Sequence, residues 1–227
     1  MEVALLFSGG KDSAYALWTA SSFGWEVKVL LTMLPASDSS YMFHRPNVKW
    51  TPLQAEAMGL PLIMQKSSGE KDSELDDLKS LIQSVKVDGV VTGALSSEYQ
   101  KEKVDMTCEE LGLRSFSPLW HKDGEMLLRD MLNAGFEVII TSVSAEGFDE
   151  SWLGRRIDDE CIKELLKLRD RYGISIAGEG GEMETFVIHS PMFKKRLKIL
   201  KSEKRWDGVR GVFDITDAKL IGSSNRA

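Results

Sequence analysis

Two short segments hold the residue types that do chemistry. The first is Ser8-Gly9-Gly10-Lys11-Asp12-Ser13, directly after the apolar run Val3-Ala4-Leu5-Leu6-Phe7. Paired glycines allow backbone angles and a close approach that a side chain forbids. Several main-chain N–H groups then converge on one concave space, reinforced by the positive end of a following helix. Ser8 and Ser13 add hydroxyls and Lys11 adds a cation, so the segment suits a pyrophosphate group. Its spacing is neither the G-x-x-x-x-G-K-[ST] of a Walker A loop nor the G-x-G-x-x-G of a dinucleotide fold. The second segment is Gly178-Glu179-Gly180-Gly181-Glu182-Met183-Glu184-Thr185. Glycines and carboxylates so interleaved make a poor helix and a poor strand interior. A loop that brings carboxylates to a reaction centre fits better; there they bind a cation, accept a proton or hold a metal.

These segments need a scaffold, and apolar spacing supplies one. Strands are expected over 2–7, 27–33, 60–64 and 88–92, and helices over 11–22, 51–58, 72–85 and 98–111. The helix over 72–85 rests on apolar positions 75, 78, 81, 82 and 85 with acidic residues in its first turn. Such β-α alternation implies a parallel sheet covered on both faces, with ligands at the carboxyl ends of its strands. Residues 34–50 lack periodicity and read as a long loop beside the nucleotide. After residue 120 the pattern changes to a helix at 124–134, a strand at 136–143 and a helix at 158–171. Strands near 184–189, 196–201 and 209–220 follow. The expected division is a nucleotide-binding α/β domain over 1–122 and a smaller α+β domain over 123–227.

Composition narrows the setting. The 227 residues are 42% hydrophobic and 28% charged, as in ordinary globular proteins. A net charge of −6 disfavours a broad nucleic-acid surface, and no stable nucleic-acid partner is expected. A local basic run from Lys194 to Arg205 reads mainly as a strand with a solvated face. No apolar run approaches the roughly 20 residues that span a bilayer, so no membrane partner is expected and a cytoplasmic setting follows. Cys108 and Cys161 are far apart and suggest neither zinc site nor disulfide.

The first loop resembles the SGG-x-D-S loop of the N-type ATP pyrophosphatases, whose fold is the HUP-like adenine nucleotide alpha-hydrolase type. The Gly-Glu-Gly-Gly-Glu-x-Glu-Thr segment is similar to a signature of the diphthine–ammonia ligases and their archaeal relatives. Further matching pieces are Tyr41-Met42-Phe43-His44, Thr92 to Lys101, Pro118-Leu119-Trp120 and Trp152-Leu153-Gly154-Arg155. They run in order through nearly the whole chain. Met183 stands where an aromatic residue is more usual, and Lys103 where arginine is frequent.

That resemblance implies an ATP-dependent ligase acting on translation elongation factor 2. It converts diphthine, a modified histidine, to diphthamide through an acyl-adenylate, with ammonium as nitrogen donor and AMP and pyrophosphate as products. It further implies that Ser8, Gly9, Gly10, Lys11, Asp12 and Ser13 hold the phosphates, with Asp12 positioning magnesium. Adenine is expected at the end of the second strand, near Leu31, Thr32 and Met33, with Gly93 close by. Tyr99, Trp120 and Trp152, together with Glu98, Glu179, Glu182 and Glu184, are candidate hosts for the trimethylammonium group of diphthine. One of the last three glutamates is a candidate base for ammonium. His44, Gln100 and Thr185 are candidate substrate contacts. Two other readings stay open at this point: a tRNA-modifying enzyme sharing the first loop, and a nucleotide-binding regulator without turnover. A homo-oligomer is also left open.

Overall fold

The computed structural model describes residues 1–34, 47–67 and 73–222. The expected loop over 34–50 therefore lies mostly outside the described residues, His44 with it. Strands β1 (Glu2–Leu6), β2 (Glu26–Leu34), β3 (Leu62–Lys66), β4 (Gly89–Val91) and β5 (Arg114–Phe116) form one sheet in the order β3-β2-β1-β4-β5. Every pairing in it is parallel. Helices α1 (Lys11–Ser22), α2 (Thr51–Met58), α3 (Glu74–Gln83) and α4 (Glu98–Glu110) alternate with these strands. Apolar residues cover both faces of the sheet: Leu5 and Leu30 join a cluster with Leu17 of α1, while Ala4 and Leu31 join one with Leu78 and Ile82 of α3 and Val104 of α4. Burial on both faces explains why these strands read as apolar runs rather than alternating ones.

A second, antiparallel sheet contains β6 (Glu137–Val143), β7 (Met183–His189), β8 (Lys195–Trp206) and β9 (Gly211–Gly222), in the order β7-β6-β9-β8. Helices α5 (Gly124–Asn133) and α6 (Asp159–Tyr172) belong with it. Their caps are legible: Asp123 accepts from Met126 N at 2.9 Å, and Asp158 from Cys161 N at 2.8 Å. Among the described residues no helix is long and apolar enough to cross a membrane.

The two sheets share one core. A single apolar cluster joins Leu5, Phe7 and Tyr15 to Met131, Phe136, Val138 and Val187. Residues 47–58, although they lie between β2 and β3, are stitched to the second sheet. Asn47 Nδ2 donates to Phe213 O at 2.8 Å, Ile215 N donates to Asn47 Oδ1 at 2.7 Å, and Trp50 Nε1 donates to Ile215 O at 2.8 Å. The proposed division at 122/123 thus parts the chain in sequence while packing crosses it.

Candidate active site

In the first sheet the chain runs outward from β1 to β3 and then crosses to β4, so strand order reverses between β1 and β4. At such a reversal the carboxyl ends of neighbouring strands diverge and leave a crevice. A cavity lies there. Phe7 and Ser8 past β1, Leu31 and Met33 of β2, and Thr92 and Gly93 past β4 form its floor. Gly10, Asp12 and Ser13 at the start of α1 form one wall. Glu179, Glu184 and Thr185, from the acidic segment and β7, form another, and Gln100 of α4 contributes to the rest.

Local sequence explains the loop. Gly9 has φ +82°, a left-handed conformation suited to glycine. Gly10 caps α1 and has no side chain to bond the helix's first amides. Ser8 and Ser13 hydroxyls lie 3.2 Å apart, and Ser13 Oγ donates to Gly10 O at 3.1 Å, bracing the turn. A Cβ on Gly93 would stand 2.7 Å from both Asp12 C and Ser13 N. Only glycine there lets the first turn of α1 rest on the end of β4.

The second half of the chain holds the loop in place. Val187 N donates to Gly9 O at 3.0 Å, and Lys11 N donates to Thr185 Oγ1 at 3.1 Å. Gln54, fully buried on α2, donates from Nε2 to Gly9 O at 2.9 Å and to Val187 O at 2.8 Å. β7 is therefore hydrogen-bonded along the loop that would hold phosphates.

The three expected glutamates separate. Glu179 lines the cavity, and its Oε2 accepts from Ser96 N at 2.9 Å and Ser96 Oγ at 3.2 Å. Burial, and secondarily the nearby Asp12 carboxylate, push its carboxyl above the ordinary range, against the pull of Lys11 and the Ser96 bonds. Glu184 also lines the cavity. Glu182 instead accepts from Ser175 N at 3.0 Å and Gly180 N at 2.8 Å, shaping its own loop outside the cavity lining.

Other expected residues stand elsewhere. Lys11 is only 2% exposed and does not line the cavity; its Nζ meets both Asp12 oxygens, at 2.9 and 2.8 Å, and Ala177 O at 2.5 Å. Asp12 keeps part of its side chain open to the cavity. Thr32 spends its hydroxyl on Phe7 O at 2.6 Å, behind the lining formed by Met33. Trp152 is 5% exposed within the core, edge-on to Phe148 and stacked by Arg155 at 4.6 Å. Trp120 packs on His121 and beneath Lys101, outside the cavity lining. Glu98 and Tyr99 are exposed on α4, where the Lys103 ammonium sits over the Tyr99 ring. Lys103 thus meets the ring as a cation, a contact open to lysine and arginine alike.

Against that geometry, models of the diphthamide synthase N-terminal domain and the diphthamide synthase C-terminal domain match residues 1–115 and 123–221. The chain belongs to the diphthamide synthase family. Proteins named diphthine--ammonia ligase from Bos taurus and Homo sapiens are each 34% identical over 226 residues, which covers 89% of this chain and 84% of theirs. A protein of the same name from Schizosaccharomyces pombe is 38% identical over 224 residues, 89% of this chain but 37% of that longer one.

In this member of the diphthamide synthase family, sequence reasoning passed over Gln54, Thr92, Ser96 and Val187. Thr92 and Ser96 fall inside the recognised Thr92-to-Lys101 segment, so a signal for them existed. Gln54 had only a faint one, a lone amide in a short helix of small and apolar residues.

Proposed function

We propose that this chain is an ATP-dependent ligase that amidates diphthine on translation elongation factor 2, giving diphthamide. The observation that carries the reading is a single cavity walled both by the Ser8-to-Ser13 loop and by the Glu179-to-Thr185 segment. Activation of an acid and capture of its activated form then share one chamber. The names of the relatives support the same reaction.

The chemistry follows from the residues present. A carboxylate is a poor acylating agent, and attack on the α-phosphorus of ATP converts it to an acyl-adenylate with AMP as leaving group. Main-chain amides of the Gly9-to-Ser13 turn, with the Ser8 hydroxyl once it turns from Ser13, receive the departing pyrophosphate, so developing charge meets preset dipoles. Adenine lies against Leu31 and Met33 at the end of β2, where apolar stacking and main-chain bonds suffice. Lys11 acts on Asp12 rather than on phosphate, fixing the carboxylate that faces the cavity. Ammonia then displaces AMP, and Glu179, with its raised pKa, is placed to accept a proton from ammonium.

Magnesium fits in a limited way. Among the described residues no cluster of three or more His, Cys, Asp or Glu forms a dedicated metal site. Asp12 presents one carboxylate to the cavity, and magnesium in such enzymes is commonly held by one or two carboxylates plus substrate phosphates. Bound there with ATP, it would offset phosphate charge.

The reading is tested by incubating the protein with ATP and ammonium, together with either diphthine-bearing elongation factor 2 or bulk tRNA. AMP and pyrophosphate should form with the elongation factor and ammonium, alongside the amide. Turnover that depends on tRNA, or release of ADP, would overturn it.

A further inference from the structure

A second cavity adjoins the first, and Glu179 lines both. It is lined by Leu95 and Ser96 after β4, by residues 121–125 at the start of α5, by Arg169 on α6, and by residues 174–177. Between the two cavities stands a wall made of Glu179 held by Ser96, with the Ala177 carbonyl engaged by the Lys11 ammonium beside it.

The reaction proposed above brings three reactants together. ATP occupies the ends of the first sheet's strands, and the carboxylate of a protein side chain must reach its α-phosphate. A third reactant that has its own approach need not pass either of them. The second cavity gives one that ends on a carboxylate. Its cationic side chains are turned to other partners: the Lys122 ammonium lies over the Tyr15 ring, and Arg169 pairs with Asp170 at 2.9 Å. Among the described residues His121 gives its only ring, so it lacks the aromatic faces that host a quaternary ammonium group. Serine hydroxyls and a carboxylate suit a small, hydrated cation instead.

We propose that this second cavity is the ammonium port of the amidation step, with Glu179 at its inner end. The inference rests on the ligase reading. Ammonium enters past Ser96 and Ser175 and gives one proton to the Glu179 carboxylate. The ammonia so formed attacks the acyl carbon; the C–N bond forms, and the C–O bond to the AMP phosphate breaks with its electron pair leaving on AMP. The second proton lost by the nitrogen goes to solvent.

Two variants narrow the port without touching the first cavity: Ile174→Phe inside it and Arg169→Trp on its exposed rim. Adenylation is read by ATP–pyrophosphate exchange with diphthine-bearing elongation factor 2, and amidation by the KM for ammonium. Expected is exchange within about twofold of the parent, with an ammonium KM raised about tenfold, the scale on which one excess group in a pocket discriminates. Unfolding midpoints identify a variant that fails to fold, and Arg169→Trp, on a solvated helix face, then carries the test. Exchange falling together with amidation would overturn the port and assign the cavity to the acyl substrate. An unchanged ammonium KM in folded variants would also overturn it. Absence of exchange in the parent protein would instead remove the ligase reading, and the port with it.

Discussion

Gln54 holds Gly9 in place from across the molecule: its Nε2 donates to the Gly9 carbonyl at 2.9 Å and also to Val187 at 2.8 Å. One buried amide thereby ties the phosphate loop to β7 of the second sheet. Gln54→Met keeps the volume but leaves Val187 O without this donor, at a cost of about 1–3 kcal/mol. Affinity for ATP and pyrophosphate should fall, while affinity for adenosine, which the proposed site holds on β2, stays near the parent value. Calorimetric titration of the three ligands checks this; equal loss for all three would make Gln54 merely structural.

Gly93 supports the same loop from below. Gly93→Ala sets a methyl group 2.7 Å from backbone atoms of Asp12 and Ser13, which cannot swing aside as a flexible side chain can. Urea unfolding should show a loss of about 1–3 kcal/mol, the usual scale of overpacking, with ATP binding weakened in parallel.

Glu179 links pH to stability and, in the proposed reaction, to turnover. Its carboxyl is raised in the folded state, chiefly by burial and then by Asp12, so the fold binds this proton more tightly than the unfolded chain does. By linkage its contribution to stability falls as pH rises from the unfolded value of about 4.3 through the folded one. Glu179→Gln removes the charge and keeps an acceptor for Ser96. It should match the parent below the unfolded pKa and melt at a higher temperature at neutral pH. Amidation should be largely lost in this variant while ATP–pyrophosphate exchange persists. Melting curves across pH and the two half-reaction assays check both statements.

Cys108 and Cys161 are buried, and burial pushes each thiol up to about 11. Neither should react with iodoacetamide in the native protein at pH 8, where the thiolate is scarce and sheltered. Both should be modified once the chain is unfolded in urea, as intact mass would show.

Much of this architecture was legible in the sequence because its signals were strong. Helix α1 begins at Lys11 and ends at Ser22 as the glycine turn and Gly24 imply, and helix α2 matches Thr51 to Met58 with Pro52 in its first turn. β5 escaped notice because three residues at a sheet edge carry no periodicity. β8 extends beyond the expected 196–201: past Leu200 it runs Lys-Ser-Glu-Lys-Arg, exposed residue by residue, with no alternation to reveal a strand. At the site, the glycine loops announced themselves by composition. What the sequence hid was direction. Nothing in it says that Lys11 turns to Ala177, that Glu182 bonds its own loop while Glu179 and Glu184 face the cavity, or that Trp152 fills the core. Those depend on how the folded chain brings segments together, some of them more than a hundred positions apart, as Lys11 with Ala177 and Gln54 with Val187 are.

In the proposed reaction the carboxylate of diphthine is activated by transfer of the AMP group of ATP onto one of its oxygens, in the cavity at the ends of β1, β2 and β4. The most direct test labels both carboxylate oxygens of diphthine on elongation factor 2 with heavy oxygen and follows the label through one turnover with ATP and ammonium. An acyl-adenylate predicts one labelled oxygen in the phosphate of AMP and none in pyrophosphate. Label in inorganic phosphate together with ADP, or unlabelled AMP beside the finished amide, would contradict it.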